Sequence, residues 1–207
     1  MTMLIRKPRV AFQGERGAFS EEAAMKLLGD EVELVPRKTF IDLFNSLESR
    51  IADYVLAPVE NSIAGIVQPS VDLMRSSSLA IVDEVEIKIE QHLIGCAGAS
   101  FEAIETVQSH PVAIAQCTRF FAANPQLKSV IADDTAGSVA EIVRLNDTTR
   151  AAIAGQRAAD LYGASIIRRS IQDQTENYTR FVLLSANRSE GSSAESNYPA
   201  LVKEHAS

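Results

Sequence analysis

Tryptophan is missing from this chain, and cysteine and histidine are scarce, with two of the former and three of the latter among 207 residues. Cys96 and Cys117 make no disulfide framework, and each sits in apolar company that suits a small core residue. The histidines are scattered without metal-ligand spacing, so no metal is expected. Basic charge is short as well. A net charge of −7 without any Lys/Arg cluster leaves no footprint for nucleic acid, although a local positive pocket for a small anion stays compatible with it. No apolar run is long enough to span a bilayer, and Met1 to Val10 has no signal-peptide apolar region. These absences point away from the membrane and toward the cytoplasm, or toward an organelle stroma for a chain trimmed of a transit peptide. The missing tryptophan itself excludes nothing.

What is present is ordinary for a soluble globular protein, with 46% hydrophobic and 23% charged residues on a length that suits one large domain or two lobes. Short apolar strands alternate with amphipathic helices throughout. Strands are expected at Arg9–Gln13, Val32–Val35 and Asp53–Val59, with helices at Ala18–Leu28, after Thr39, and near Val71–Arg75. This β-α-β-α-β series favours a parallel sheet covered by helices. Val85, Ile87 and Ile89 then alternate with charged residues in a half-exposed strand that leads through His92 into Leu93-Ile94-Gly95-Cys96. The alternation resumes with strands at Ile104–Gln108, Val130–Ala132, Ala151–Ala154 and Ser165–Arg168. Helices are expected at Pro111–Ala122, after a Thr135 cap, and at Gly155–Tyr162, with Phe181–Ser185 as the last strand. The fold class is therefore α/β, two Rossmann-like lobes in a clamshell. Residues 8–84 with 180–187 form the first lobe, 85–179 the second, and 188–207 a Ser-rich flexible tail.

Polar clusters recur at the carboxyl ends of the expected strands, where open α/β sheets bind ligands. Gly14-Glu15-Arg16-Gly17-Ala18-Phe19-Ser20 offers tight turns and a helix N-terminus, but matches neither the dinucleotide fingerprint nor the P-loop. Glu60-Asn61-Ser62, with Gly65 behind it, reads equally as a helix cap or as an acid/base and amide set. Ser109-His110-Pro111, with Gln116 following, reads first as a cap. Asp133-Asp134-Thr135-Ala136-Gly137-Ser138 is another helix start, its carboxylates suited to the helix dipole. Asn177-Tyr178-Thr179-Arg180-Phe181 places an amide, a hydroxyl, a guanidinium and aromatic rings at the mouth of the last strand, either as a capping turn or as a site. Together the clusters suit a small polycarboxylate held by hydrogen bonds rather than by metal.

Taken in order, these motifs resemble the prephenate dehydratase family. The resemblance also draws on Ala151-Ala-Ile-Ala154, Ala158-Ala159 and Tyr162-Gly163, and it runs from about Val10 to Leu184. Ile171-Gln172-Asp173 and the Asp-Thr-Ala-Gly motif resemble the plant-type branch, which includes arogenate dehydratases. The resemblance implies a two-lobed fold like the type II periplasmic binding proteins, an active site between the lobes, and a homo-oligomer, dimer or tetramer. It implies conversion of prephenate to phenylpyruvate in phenylalanine synthesis, without cofactor. It carries Thr179, Asn61, Ser109 and Gln116 over as catalytic positions, with Thr179 tied most closely to turnover. Ser20, Glu60, Ser62, Gly65, His110, Thr135, Ala136, Asn177, Arg180 and Phe181 are expected to bind substrate. Arg180 and the helix N-termini near Ser20 and Thr135 are assigned to its carboxylates, and Glu60 is a second proton source if the cleft raises its pKa.

Two departures qualify the resemblance. Ala18 stands where many members carry Ser or Thr. The regulatory ACT domain common in the family does not follow in this chain, so feedback by phenylalanine is not carried over. Arogenate dehydratase and a non-catalytic two-lobed binding module are the competing readings.

Overall fold

Strand–helix alternation builds two sheets from one chain, and the chain passes between them twice. The computed structural model describes residues 7–186; the expected tail at 188–207 lies outside them. The first passage out of the N-terminal unit follows β1 (Arg9–Gln13), α1 (Phe19–Leu28), β2 (Glu33–Arg37), α2 (Phe40–Glu48), β3 (Tyr54–Asn61), the short β4 (Gly65–Ile66), α3 (Gln68–Ser76) and β5 (Leu79–Lys88). The second unit holds β6 (His92–Gly95), β7 (Thr106–Ser109), α4 (Pro111–Ala115), α5 (Thr118–Ala123), β8 (Lys128–Ile131), α6 (Thr135–Leu145), β9 (Arg150–Ala154), α7 (Gln156–Tyr162) and β10 (Ser165–Arg168). The chain then returns to the first sheet as β11 (Tyr178–Ala186).

The first sheet runs β2-β1-β3-β11-β5, with β4 on β3; β1 is parallel to β2 and β3, and β11 is antiparallel to both its neighbours. The second runs β10-β6-β9-β7-β8, parallel at β7–β8 and β7–β9 and antiparallel at β6. The expected α/β class with two sheet-bearing lobes is the one found. Each sheet is covered on both faces. In the first, Val55, Ala57, Val59, Val182 and Leu184 pack under α2 and α3, whereas Val10, Leu56, Ile87, Phe181 and Leu183 pack under α1. Alternation along the strands produces this division, since successive side chains point to opposite faces. No helix among the described residues is long and apolar enough to cross a membrane.

Local chemistry explains most boundaries. Thr39 caps α2 as expected, accepting the Asp42 amide at 3.0 Å. At α6 the cap is Asp134 rather than Thr135: its Oδ1 accepts the Gly137 amide at 2.6 Å, and Thr135 becomes the first helical residue. Gly137 belongs to that cap, because a Cβ there would stand 2.6 Å from Asp134 Oδ2. The single helix expected at Pro111–Ala122 is two. The carboxylate of Asp173 accepts the amides of Thr118 and Arg119, both at 2.9 Å, and so restarts the helix at Thr118. The last strand begins earlier than expected because Tyr178, Thr179 and Arg180 already pair with Lys88, Ile87 and Glu86. Residues 85–88 and 178–179 therefore belong to the first sheet, and the passages between units lie at 89–91 and 169–177.

Candidate active site

The end of β3 and the start of β11 are neighbours, with Asn61 opposite Thr179. Two backbone amides orient Asn61: Oδ1 accepts Ile63 N–H at 3.0 Å and Ala64 N–H at 2.8 Å. The nitrogen must then face the other way. Nδ2 donates to Asn177 Oδ1 at 2.7 Å, to Thr179 Oγ1 at 2.9 Å and to Tyr178 O at 3.1 Å. With two hydrogens shared among three acceptors, one contact is bifurcated. Thr179 is 9% exposed, and its hydroxyl oxygen is used as an acceptor. No described residue accepts its proton. Asn177 is fully buried, and its Nδ2 has no hydrogen-bond partner among the described residues.

The two passages between units run alongside this cluster and are tied to each other. Ile171 N–H donates to Gln91 O at 2.8 Å, and Gln91 N–H donates to Gln172 Oε1 at 3.0 Å. Gln91 Nε2 reaches Gln116 Oε1 at 3.3 Å, while its Oε1 is buried without a partner. Asp173 N–H donates to Gln116 O at 2.7 Å. A cavity of about 80 Å³ lies here, lined by Ile63, Gln116, Gln172, Asp173, Gln174 and Asn177 among others. Burial pushes the pKa of Asp173 up, but the Thr118 hydroxyl and the Arg119 and Thr118 amides outweigh it and hold the carboxyl below its ordinary value. The neighbouring Cys117 is different: burial, then the Asp173 charge, pushes its thiol up to about 12, and together with its full burial this leaves it a core residue. Cys96 is likewise buried and free. Sequence reasoning passed over Gln91 and read Ile171-Gln172-Asp173 only as a likeness. Glutamines flanking an exposed-to-buried transition were the available signal.

The other expected site residues divide sharply. Ser62 joins the cluster, its Oγ accepting the Tyr178 amide at 2.9 Å, and Gly65 (φ 80°) closes the turn by pairing with Asn61. Ser109 is fully buried and donates to Ile153 O at 2.6 Å, joining two strands. His110 caps α4, its Nδ1 facing the Val112 amide at 3.3 Å. Ala136 and Phe181 lie in the cores of their units. Arg180 and Glu60 face away from Thr179 and meet each other at 3.4 Å, with Glu84 also 3.4 Å from Arg180. Both are exposed. Of the two helix N-termini assigned to substrate carboxylates, that of α6 is already occupied by Asp134. At α1 no side chain caps the helix; Ser20 is buried, and Glu21 Oε2 accepts the amide of Gly17, just before the helix, at 3.1 Å.

Glu21 anchors a second polar cluster, between the units. It is fully buried; Oε1 accepts Arg157 at 2.7 and 3.0 Å, and Oε2 accepts Arg16 Nε at 2.5 Å. Burial alone would raise its pKa, but the Arg16, Arg157 and Gly17 hydrogen bonds hold it below the ordinary value. Gly17 (φ 85°) admits this approach, since a Cβ there would meet Ala158 Cα at 2.9 Å. Nearby lies a larger cavity of about 370 Å³, lined by Phe19, Glu22, Lys88, Glu90, His92 and Arg157 among others. It contains none of the expected site residues. Its cations are already engaged, Lys88 by Glu90 at 3.2 Å and Arg157 by Glu21. Burial lowers the pKa of His92, whose Nδ1 accepts the Ser170 amide at 3.0 Å. The smaller cavity is therefore the candidate site. Among the described residues no group of three or more His, Cys, Asp or Glu could hold a metal ion.

Comparison with known proteins agrees with the motifs. A family model described as prephenate dehydratase matches residues 10–189. An arogenate dehydratase/prephenate dehydratase 2 of Arabidopsis thaliana is 38% identical over 176 residues, 85% of this chain and 46% of that protein. A bifunctional chorismate mutase/prephenate dehydratase of Aquifex aeolicus is 35% identical over 87% of this chain and 49% of its own. This chain thus spans about half the length of these relatives. Among solved structures, a prephenate dehydratase from Arthrobacter aurescens in complex with L-Phe superimposes with a TM-score of 0.79 at 25% identity, covering 90% of this chain and 63% of that one. The chain belongs to the prephenate dehydratase family.

Proposed function

We propose that this chain converts prephenate to phenylpyruvate by decarboxylating dehydration, with Thr179 as the group that assists the departing hydroxyl. The electron count closes without a redox cofactor. The ring carboxylate leaves as CO2, and its bonding pair enters the ring and shifts through one double bond. The C4–O bond then breaks with its own pair, and the hydroxide takes a proton and departs as water. Aromatisation drives the step, so the protein's task is positioning and stabilisation of charge developing on that oxygen.

The hydrogen bond from Asn61 Nδ2 to Thr179 Oγ1 carries this reading. It occupies the threonine oxygen as an acceptor and leaves the hydroxyl proton to be donated. A threonine hydroxyl is too weak an acid to surrender that proton, so it stabilises the leaving oxygen, and solvent completes the water. Gln116, lining the cavity, is assigned to substrate contact. Arg180 binds a substrate carboxylate in this scheme only by leaving both Glu60 and Glu84 and turning from the face opposite Thr179.

Arogenate is the second substrate considered, because the name of the Arabidopsis relative pairs the two activities. Incubation of the protein with prephenate and, separately, with arogenate, followed by assay of phenylpyruvate and phenylalanine, tests both. Phenylpyruvate from prephenate is the expected result; phenylalanine from arogenate alone transfers the assignment to that substrate. Absence of both products reduces the chain to a binding module. The reading extends to a homo-oligomer in the cytoplasm, and sedimentation of the purified protein as a dimer or tetramer is the expected result for its assembly.

A further inference from the structure

The direction of every hydrogen bond around Asn61 follows from two backbone amides. Ile63 and Ala64 can only donate, so the Asn61 atom they meet is oxygen and the opposite atom is nitrogen. That nitrogen donates to Asn177, so the Asn177 atom it meets is oxygen, and its free atom is the NH2 group. The Asn177 amide is thereby fixed in orientation and fully buried. It lines the small cavity, and its donors find no acceptor among the described residues. Leaving such a group unpaired destabilises the folded chain. The same Asn61 nitrogen holds Thr179 by one lone pair of its oxygen, and no described residue accepts the Thr179 proton, which is therefore free to be given. One amide thus presents two side chains as donors.

We infer that Asn177 Nδ2 and the Thr179 hydroxyl form a donor pair for the oxygen that leaves the substrate, with Asn61 as the positioning residue that orients both. This deepens the proposed reaction and rests on it. As the C4–O bond breaks, charge grows on the oxygen, and donors fixed in advance gain strength in the transition state over the ground state. The ligand group is an alcohol becoming hydroxide; the side-chain carboxylate, charged throughout, would be gripped equally before and during reaction, and the ring carboxylate, neutralised as CO2, ever less.

The test compares the parent with Asn177→Asp, which keeps the oxygen that Asn61 needs and replaces the donor nitrogen, and with Asn177→Ala, which removes the whole amide. Steady-state kinetics on prephenate and thermal unfolding are measured for each. The expected result is a kcat lowered by on the order of 10²-fold in Asn177→Ala, with KM changed less than about threefold. Its unfolding midpoint should fall by only about 2–4 °C, because the one bond lost is that from Asn61 to Asn177 Oδ1 and the donor nitrogen was unpaired. Asn177→Asp should lose at least as much kcat at neutral pH. A loss carried by KM alone would overturn the pair in favour of ground-state carboxylate binding. Parent-like kcat in Asn177→Ala would overturn it outright, and so would a kcat loss matched by a collapse of the fold in both variants. If the parent turns over neither prephenate nor arogenate, the proposed reaction falls and takes the donor pair with it.

Discussion

Two buried polar clusters join distant parts of this chain, and they are finished to different degrees. Glu21 receives four donors, from Arg157 twice, Arg16 and Gly17, which fills the lone pairs of a carboxylate. Asn177 and Thr179 are buried and Asn61 half-buried, yet donors remain over in this set after every internal bond is made. A saturated cluster has nothing left to offer a ligand and works as a fastener. An unsaturated one bears a standing cost that only a visiting acceptor removes. The glycine-rich motif at residues 14–20 looks in the sequence as much like a ligand loop as the Asn177–Phe181 segment does. The count of satisfied atoms separates them.

Substitutions that exchange the two behaviours test this distinction. The largest effect is expected at Thr179, where replacement by Val should lower kcat by on the order of 10²-fold or more while Thr179→Ser retains most activity. Equal rates for the Val variant and the parent would remove the hydroxyl from the reaction. On the fastener side, Arg157→Met should reduce unfolding free energy by about 3 kcal/mol, the lower end for a broken buried pair because Arg16 still faces Glu21. Denaturant titration measures it, and a loss under about 0.5 kcal/mol would make the cluster ornamental. The acid response has a definite sign. The folded pKa of Glu21 lies below its ordinary 4.5, so its stabilisation is present above that value and is lost as pH falls through the lower folded one. Glu21→Gln should flatten that part of the acid unfolding curve.

Smaller effects sharpen the boundary between the clusters. Ser109→Ala removes a buried bond to Ile153 O and should cost about 1 kcal/mol of stability; an unchanged denaturation midpoint would take Ser109 out of the fasteners. Smallest of all, Cys117 should resist a thiol-specific disulfide reagent at pH 8 in the folded protein, its thiol being fully buried and pushed up to about 12. Stoichiometric labelling before unfolding would show that the region around the smaller cavity opens readily.

The elements were largely legible in the sequence because they depend on near neighbours. The Val85-Ile87-Ile89 alternation and the Thr39 cap are written within one turn or one strand. The break between α4 and α5 is not, since its cause is Asp173, 55 residues away. The site was legible as a set of motifs, through resemblance, but its wiring was not. Asn61 and Thr179 are 118 residues apart, and only the register of β3 against β11 makes them partners. Register also turns Arg180 to the face opposite Thr179, although the two are adjacent in sequence. Composition gave no hint that Glu21, one of many acidic residues, would be fully buried.

The position of β11 governs how this protein is born. It lies between β3 and β5, strands made long before it, and the whole second unit is synthesised in the interval. A nascent chain therefore waits with two unpaired strand edges in its first sheet until the last strand emerges, a state exposed to aggregation and to chaperones. Thr179 arrives on that same strand. A ribosome-bound fragment ending before it has no complete first sheet and no assembled candidate site, so completion of the sheet and assembly of that site fall at one moment of synthesis.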